Sequence, residues 1–173
     1  MDIDSKGKHI TFKFEKAQEQ YFKSDKKEFG PYEYIDDPML SQKGYHYAFN
    51  YMVDGRWYAQ IDRKRLGAFD TIRWVNLSNN GKSYSFAFKK NEEWYVQIGK
   101  KVLGPFENAW TATLSYDGKS FAFVFMKDGN YYAHINNEVF GPFEDLTWIR
   151  LSSDGKHYAY MYKKNGMWFV RVK

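Results

Sequence analysis

Large aromatic side chains alternate with smaller residues in four short runs of the chain. They are Tyr47-Ala48-Phe49-Asn50-Tyr51, Tyr84-Ser85-Phe86-Ala87-Phe88, Phe121-Ala122-Phe123-Val124-Phe125 and Tyr158-Ala159-Tyr160-Met161-Tyr162. A period of two places one set of side chains on each face of a strand, so each run predicts a strand with a bulky layer on one side. The opposite face is also mostly apolar, which predicts strands covered on both sides. Each run is followed by a turn dipeptide: Asp54-Gly55, Asn91-Glu92, Asp128-Gly129 or Asn165-Gly166. Such residues tolerate the positive φ of tight hairpins. A second alternating run then begins at Trp57, Trp94, Tyr131 and Trp168.

Two further landmarks keep the same spacing. Gly30-Pro31-Tyr32-Glu33 returns as Gly67-Ala68-Phe69-Asp70, Gly104-Pro105-Phe106-Glu107 and Gly141-Pro142-Phe143-Glu144, each time after 37 residues. Leu40-Ser41 with Gly44 recurs as Leu77-Ser78 with Gly81, Leu114-Ser115 with Gly118 and Leu151-Ser152 with Gly155. One step further back lie Ile3 and Gly7, so a weaker copy opens the chain. A short third strand is predicted to end at the Gly-Pro-aromatic-acid landmark. A fourth covers 72–77, 109–114 and 146–151. No helical periodicity is present.

The prediction is an all-β repeat protein of about 4.7 copies of a four-stranded antiparallel unit, in one domain over residues 1–173. The units run near 1–29 (partial), 30–66, 67–103, 104–140 and 141–173. Four short strands per unit is the content of a propeller blade. A small ring of about five blades is the leading architecture. An open twisted meander and a piece of a larger propeller are the alternatives. Residues 168–172 form a potential free edge through which the chain could associate with itself.

The stretches Leu114-Ser115-Tyr116-Asp117-Gly118-Lys119 and Leu151-Ser152-Ser153-Asp154-Gly155-Lys156 resemble the Ser-Pro-Asp-Gly-Lys repeat of WD40-like, TolB-type β-propellers. The resemblance implies four-stranded blades around an axis and a binding role. The proline after the serine is absent from every copy, and 37 residues is short for a blade of that family.

Composition adds to this picture at three points. Aromatic residues make up 21% of the 173 residues, which fits pleated, half-buried surfaces. The net charge of +5 is a modest, scattered excess that bears on solubility first. There is no cysteine, which excludes disulfides and thiolate chemistry. No apolar run is long enough to span a bilayer, and the first residues lack the pattern of a signal peptide. The default expectation is therefore cytoplasmic, or exported if a leader was removed.

No catalytic motif is present, and neither a cofactor nor a metal is expected. His9, His46 and His157 share one phase of the repeat, with Ser83 and Ser120 in the other copies. They read as polar residues at strand starts rather than as metal ligands. Glu33, Asp70, Glu107 and Glu144 form an in-phase set of acids that reads as turn anchors. Function is better sought where copies differ. Arg63, Lys64 and Arg65 with Lys100 and Lys101 make a local basic cluster. Trp74 and Trp148 share a phase from which Trp110 is displaced by one residue, while Trp57, Trp94 and Trp168 read as core. These basic residues and Trp74, Trp110 and Trp148 are the candidate partner-binding residues. The expected function is a non-enzymatic scaffold for a protein partner. A carbohydrate-binding role through exposed aromatics is the alternative. Nucleic acid and membrane are not expected partners.

Overall fold

A computed structural model describes residues 1–36 and 38–173, and among them there are 22 strands and no helix. The strands form five antiparallel sheets in chain order, over residues 2–32, 34–69, 71–106, 108–143 and 145–172. We refer to them as the first to fifth sheets. Within each sheet the chain meanders outward from a short inner strand to an outer one. The aromatic runs are the second strands, Tyr47–Val53, Tyr84–Lys90, Phe121–Lys127 and Tyr158–Lys164, and Ile10–Lys16 is their counterpart in the first sheet.

The predicted fourth strand needs a correction. It does not close a unit but opens the next sheet, where it pairs with the aromatic strand. In the middle sheets it is also broken into two pairs of residues, such as Thr71–Ile72 and Asn76–Leu77. Among the described residues it is continuous only in the fifth sheet, as Asp145–Leu151, with a register shift between Leu146 and Trp148.

The Gly-Pro landmark sits in the outer strand, where the pairing register shifts in every copy. Proline supplies no N–H to a ladder, which fits an outer edge. The glycine is required on two counts. Gly104 has φ +131°, and a Cβ there would lie 2.9 Å from the Trp94 carbonyl oxygen and 2.9 Å from the Tyr95 ring. The bonds Gly30-Pro31, Gly67-Ala68, Gly104-Pro105 and Gly141-Pro142 are cis.

The core lies between sheets, not within them. Each sheet turns its aromatic face towards the preceding sheet and its small-residue face towards the following one. Ala48, Ala59, Ile61 and Phe69 of the second sheet, for example, pack against Ile72, Val75, Leu77, Phe86 and Phe88 of the third. Phe49, Phe86, Phe123 and Tyr160 are fully buried at such seams. The landmark aromatic joins in: Tyr32, Phe69, Phe106 and Phe143 stack on Tyr51, Phe88, Phe125 and Tyr162 at ring-centroid distances of 4.3 to 4.4 Å.

Hydrogen bonds reinforce each seam. The backbone N–H of Ser5, Gln42 and Tyr116 donates to the carbonyl of Gln42, Asn79 and Ser153, one repeat further on, and that of Asn80 donates to the Tyr116 carbonyl. The series of sheets is open: among the described residues no strand of the first sheet pairs with one of the fifth. Met167–Val172 is the free edge, paired on one side only and exposed along all six residues.

Candidate functional site: a tryptophan groove on the inner strands

The inner strands are where the repeat departs from itself. Between the two halves, in the third and fourth sheets, single backbone bonds to the aromatic strand remain, from the Arg73 N–H to the Ala87 carbonyl and from the Trp110 N–H to that of Val124, and the side chains there differ between copies. Trp74 and Trp110 come from these breaks, and Trp148 comes from the corresponding place in the continuous strand Asp145–Leu151. They converge on one open groove of about 560 Å3 that runs across the third, fourth and fifth sheets. Trp74 is 62% exposed. Trp110 is half-buried and stacks on Tyr131 at 6.0 Å. The displacement of Trp110 from the repeat phase does not separate it from the other two. Its in-phase neighbour Thr111 is held in the seam, where Oγ1 donates to the Trp74 carbonyl at 3.0 Å and accepts from the Ala87 N–H.

Polar groups line the same groove, among them Asn76, Thr113, Asp145 and Arg150. Asn76 Nδ2 donates to the Ala112 carbonyl at 3.0 Å, and Arg150 Nη1 to the Ile149 carbonyl at 3.1 Å. The wall is therefore aromatic with hydrogen-bonding side chains beside the rings, an arrangement suited to binding.

One supporting residue escaped the sequence reading. Arg73 Nη2 donates to Asn108 Oδ1 at 2.9 Å, and its guanidinium lies 4.5 Å from the Trp94 ring and 4.9 Å from the Trp110 ring. Burial lowers its pKa from the usual value. Arg73 thus bridges Trp94 of the third sheet and Trp110 of the fourth by one cation–π contact to each, and its hydrogen bond to Asn108 fixes it to the fourth sheet. Its signal was available: Asp36, Arg73, Trp110 and Thr147 occupy one phase and share no chemistry.

The basic residues lie elsewhere. Arg63, Lys64 and Arg65 surround the turn into the outer strand Lys64–Phe69, and Lys100 and Lys101 the turn into Lys101–Phe106. None lines the tryptophan groove. Three of them are engaged by aromatic rings. Arg65 lies 3.7 Å from the Tyr58 ring centre, Lys64 Nζ bonds the Tyr84 hydroxyl at 3.1 Å, and Lys101 sits over Phe121. Lys64 and Lys101 therefore tie each outer strand to the next sheet.

Two of the three in-phase histidines have a packing role, while His157 is exposed. His9 and His46 lie against Gly44 and Gly81 of the following repeat so closely that a Cβ there would stand 2.5 and 2.3 Å from ring atoms. Ser83 and Ser120 fill the same place over Gly118 and Gly155. Nδ1 of His9 and His46 is 2.8 Å from Asp25 and Asp62 respectively. Among the described residues no cluster of three or more His, Cys, Asp or Glu is placed to hold a metal ion.

The repeated acids anchor turns. Glu33, Glu107 and Glu144 accept the N–H of Gly55, Gly129 and Gly166 at 3.0 to 3.4 Å. Asp70, shorter by one methylene, accepts from Asn91 instead at 2.7 Å and pairs with Arg56. Of the tryptophans read as core, Trp57 and Trp94 are half-buried at its margin. Trp168 departs from that reading: it is exposed, and among the described residues no further sheet covers its face.

The sequence matches no family model and no curated protein. Among solved structures the chain is similar to the β-propeller domain of Myceliophteria thermophila Cps50 (Swd1). The identity is 14%, the match covers 79% of this chain and 53% of that one, and the TM-score is 0.41. The chain thus spans about half the length of that domain. A likeness of this size says nothing of function.

Proposed function

We propose that the protein is a non-enzymatic binding scaffold whose tryptophan groove receives a protein partner. One observation carries the reading. Three tryptophans from three different repeats meet on one open surface, and Trp74 stays 62% exposed whereas most of the other large rings are buried or half-buried. Exposed tryptophan on a rigid support is the usual anchor of a protein interface. The repeat positions hold the support, while the irregular inner segments vary and face solvent. The turns support kinship with TolB-type propeller repeats. Ser115 Oγ bonds Asp117 at 2.9 Å and accepts the Ser120 N–H at 3.0 Å, and Ser152 repeats both contacts with Asp154 and His157.

The polar side chains beside the rings favour carbohydrate as the second reading. Titration calorimetry with a partner captured by the wild-type chain separates the two. A protein partner should lose at least about 30-fold in affinity with Trp74→Ala, the size of an interface anchor of about 2 kcal/mol. Unchanged affinity for that partner in both Trp74→Ala and Trp148→Ala would remove the groove from the interaction. Quenching of tryptophan fluorescence by a glycan, absent in the same two variants, would move the assignment to carbohydrate.

A further inference from the structure

Among the described residues the first and the fifth sheets each leave one face without a neighbouring sheet. The first sheet presents the aromatic face that every other sheet buries, and the fifth presents the small-residue face that every other sheet covers.

The match holds residue by residue. Phe12, Phe14 and Tyr21 of the first sheet stand one repeat before Phe49, Tyr51 and Tyr58. Phe12 and Phe14 are 5.9 Å apart, and Phe14 stacks on Tyr21 at 5.4 Å with an interplanar angle of 18°. At a covered seam, Phe86 and Phe88 are 5.8 Å apart, and Phe88 stacks on Tyr95 at 5.4 Å and 17°. The uncovered rings are thus already arranged for a seam before any sheet lies on them.

At the other end, Ala159, Met161, Val170 and Val172 take the positions of Ala122, Val124, Ala133 and Ile135. Val170 and Val172 are 58% and 73% exposed, against 0% and 2% for Ala133 and Ile135. The turn ladder reaches Ser153 as the acceptor from Tyr116. The position one repeat before Gln42, the acceptor from Ser5, is Ser5 itself.

We propose that these faces bind each other between chains, so that the fifth sheet of one copy stacks on the first sheet of a second copy, head to tail. The occupant follows from continuity. The complementary surface is the one the chain uses at its four internal seams, and a second copy carries it ready-formed. The contact is heterologous, so each added copy leaves a free face at either end and growth is open-ended unless the rotation closes a ring. It differs from edge pairing along Met167–Val172, which would be a strand-to-strand contact and would not use Phe12 at all. The new seam has one element fewer than an internal one. The fifth sheet carries no outer-strand ring to stack on Phe14 as Phe69 stacks on Phe88.

The test is sedimentation velocity on the 173-residue chain over a concentration series, with Phe12→Glu and Val170→Glu as single-face blocks. The wild-type chain should grow in mean mass with concentration. Each variant alone should sediment as a monomer. An equimolar mixture should form a species of two chains and no larger, since each variant keeps the face the other has lost. Far-UV circular dichroism checks folding, and Phe14→Gln replaces Phe12→Glu should that chain not fold. A wild-type chain that stays monomeric throughout, its end faces closed on each other or simply idle, overturns the proposal. So does association that survives Phe12→Glu, which would mark edge pairing, and so does a mixture that stays monomeric.

Discussion

At the scale of single residues, the chain divides positions that hold the repeat from positions that vary within it. The landmark glycine belongs to the first kind for reasons that differ from those of the turn glycines. Gly129 has φ +70° with nothing within 4 Å of a Cβ, so Gly129→Ala meets only the left-handed backbone cost, about 1 kcal/mol. Gly104→Ala meets φ +131° together with backbone and ring contacts at 2.9 Å, and should lose about 2–4 kcal/mol. Chemical denaturation of the two variants should rank them in that order. Carboxylates at the turns make a second prediction. Asp4 is held below its ordinary pKa of 3.8 chiefly by the His9 N–H, with those of Lys8 and Lys6 adding. Asp25 is lowered first by the His9 side chain, Asp117 by the Lys119 N–H and Asp154 by Ser152. A depressed folded pKa contributes stability above the unfolded value and loses it as pH falls through the folded one. The unfolding midpoint should therefore hold steady down to about pH 5 and drop below the ordinary carboxylate range. Asp4→Asn should flatten that drop.

Among elements, the second strand of each sheet carries most of the burial. Phe123→Ala, at a fully buried seam position, should cost about 3–5 kcal/mol, whereas Phe169→Ala on the exposed terminal strand should cost under 1 kcal/mol. Thermal or denaturant unfolding of both checks the contrast. These strands were legible from the alternation of Phe121-Ala122-Phe123-Val124-Phe125, because a period of two admits only a strand and large side chains at every second place need a covering layer. The inner strands were less legible. Residues 72–77 read as one closing strand, yet they open the following sheet and break between Ile72 and Asn76. Pairing partners are a matter of spatial neighbours, and an irregular segment of Trp and Arg leaves no periodic signal. Trp74 and Trp110 sit in such breaks and meet Trp148 of the continuous strand Asp145–Leu151, so two of the three rings of the candidate site arise where strand patterning fails.

For the whole molecule, packing between neighbours makes stability a sum over seams rather than one central core. Sheets with two neighbours should outlast those with one. Hydrogen exchange should be slowest in Tyr84–Lys90 and Phe121–Lys127 and fastest in Met167–Val172, with Ile10–Lys16 between them. Equal protection of terminal and central strands, in a chain shown to be monomeric, would mean that the end faces meet within one ring.

The 37-residue spacing, the strand alternation and the turn residues were determined by the sequence alone, since each follows from local geometry that repeats with the chain. The anchoring role of Glu33 and its equivalents was also legible there, because one residue type held in phase answers to one backbone need. Only the tertiary structure decided that each sheet begins on its inner strand, that Arg73 clamps Trp110, and that the fifth sheet leaves Val170 uncovered. Those outcomes depend on which sheet lies beside which, and contacts between residues far apart in the chain carry no periodicity from which to read them.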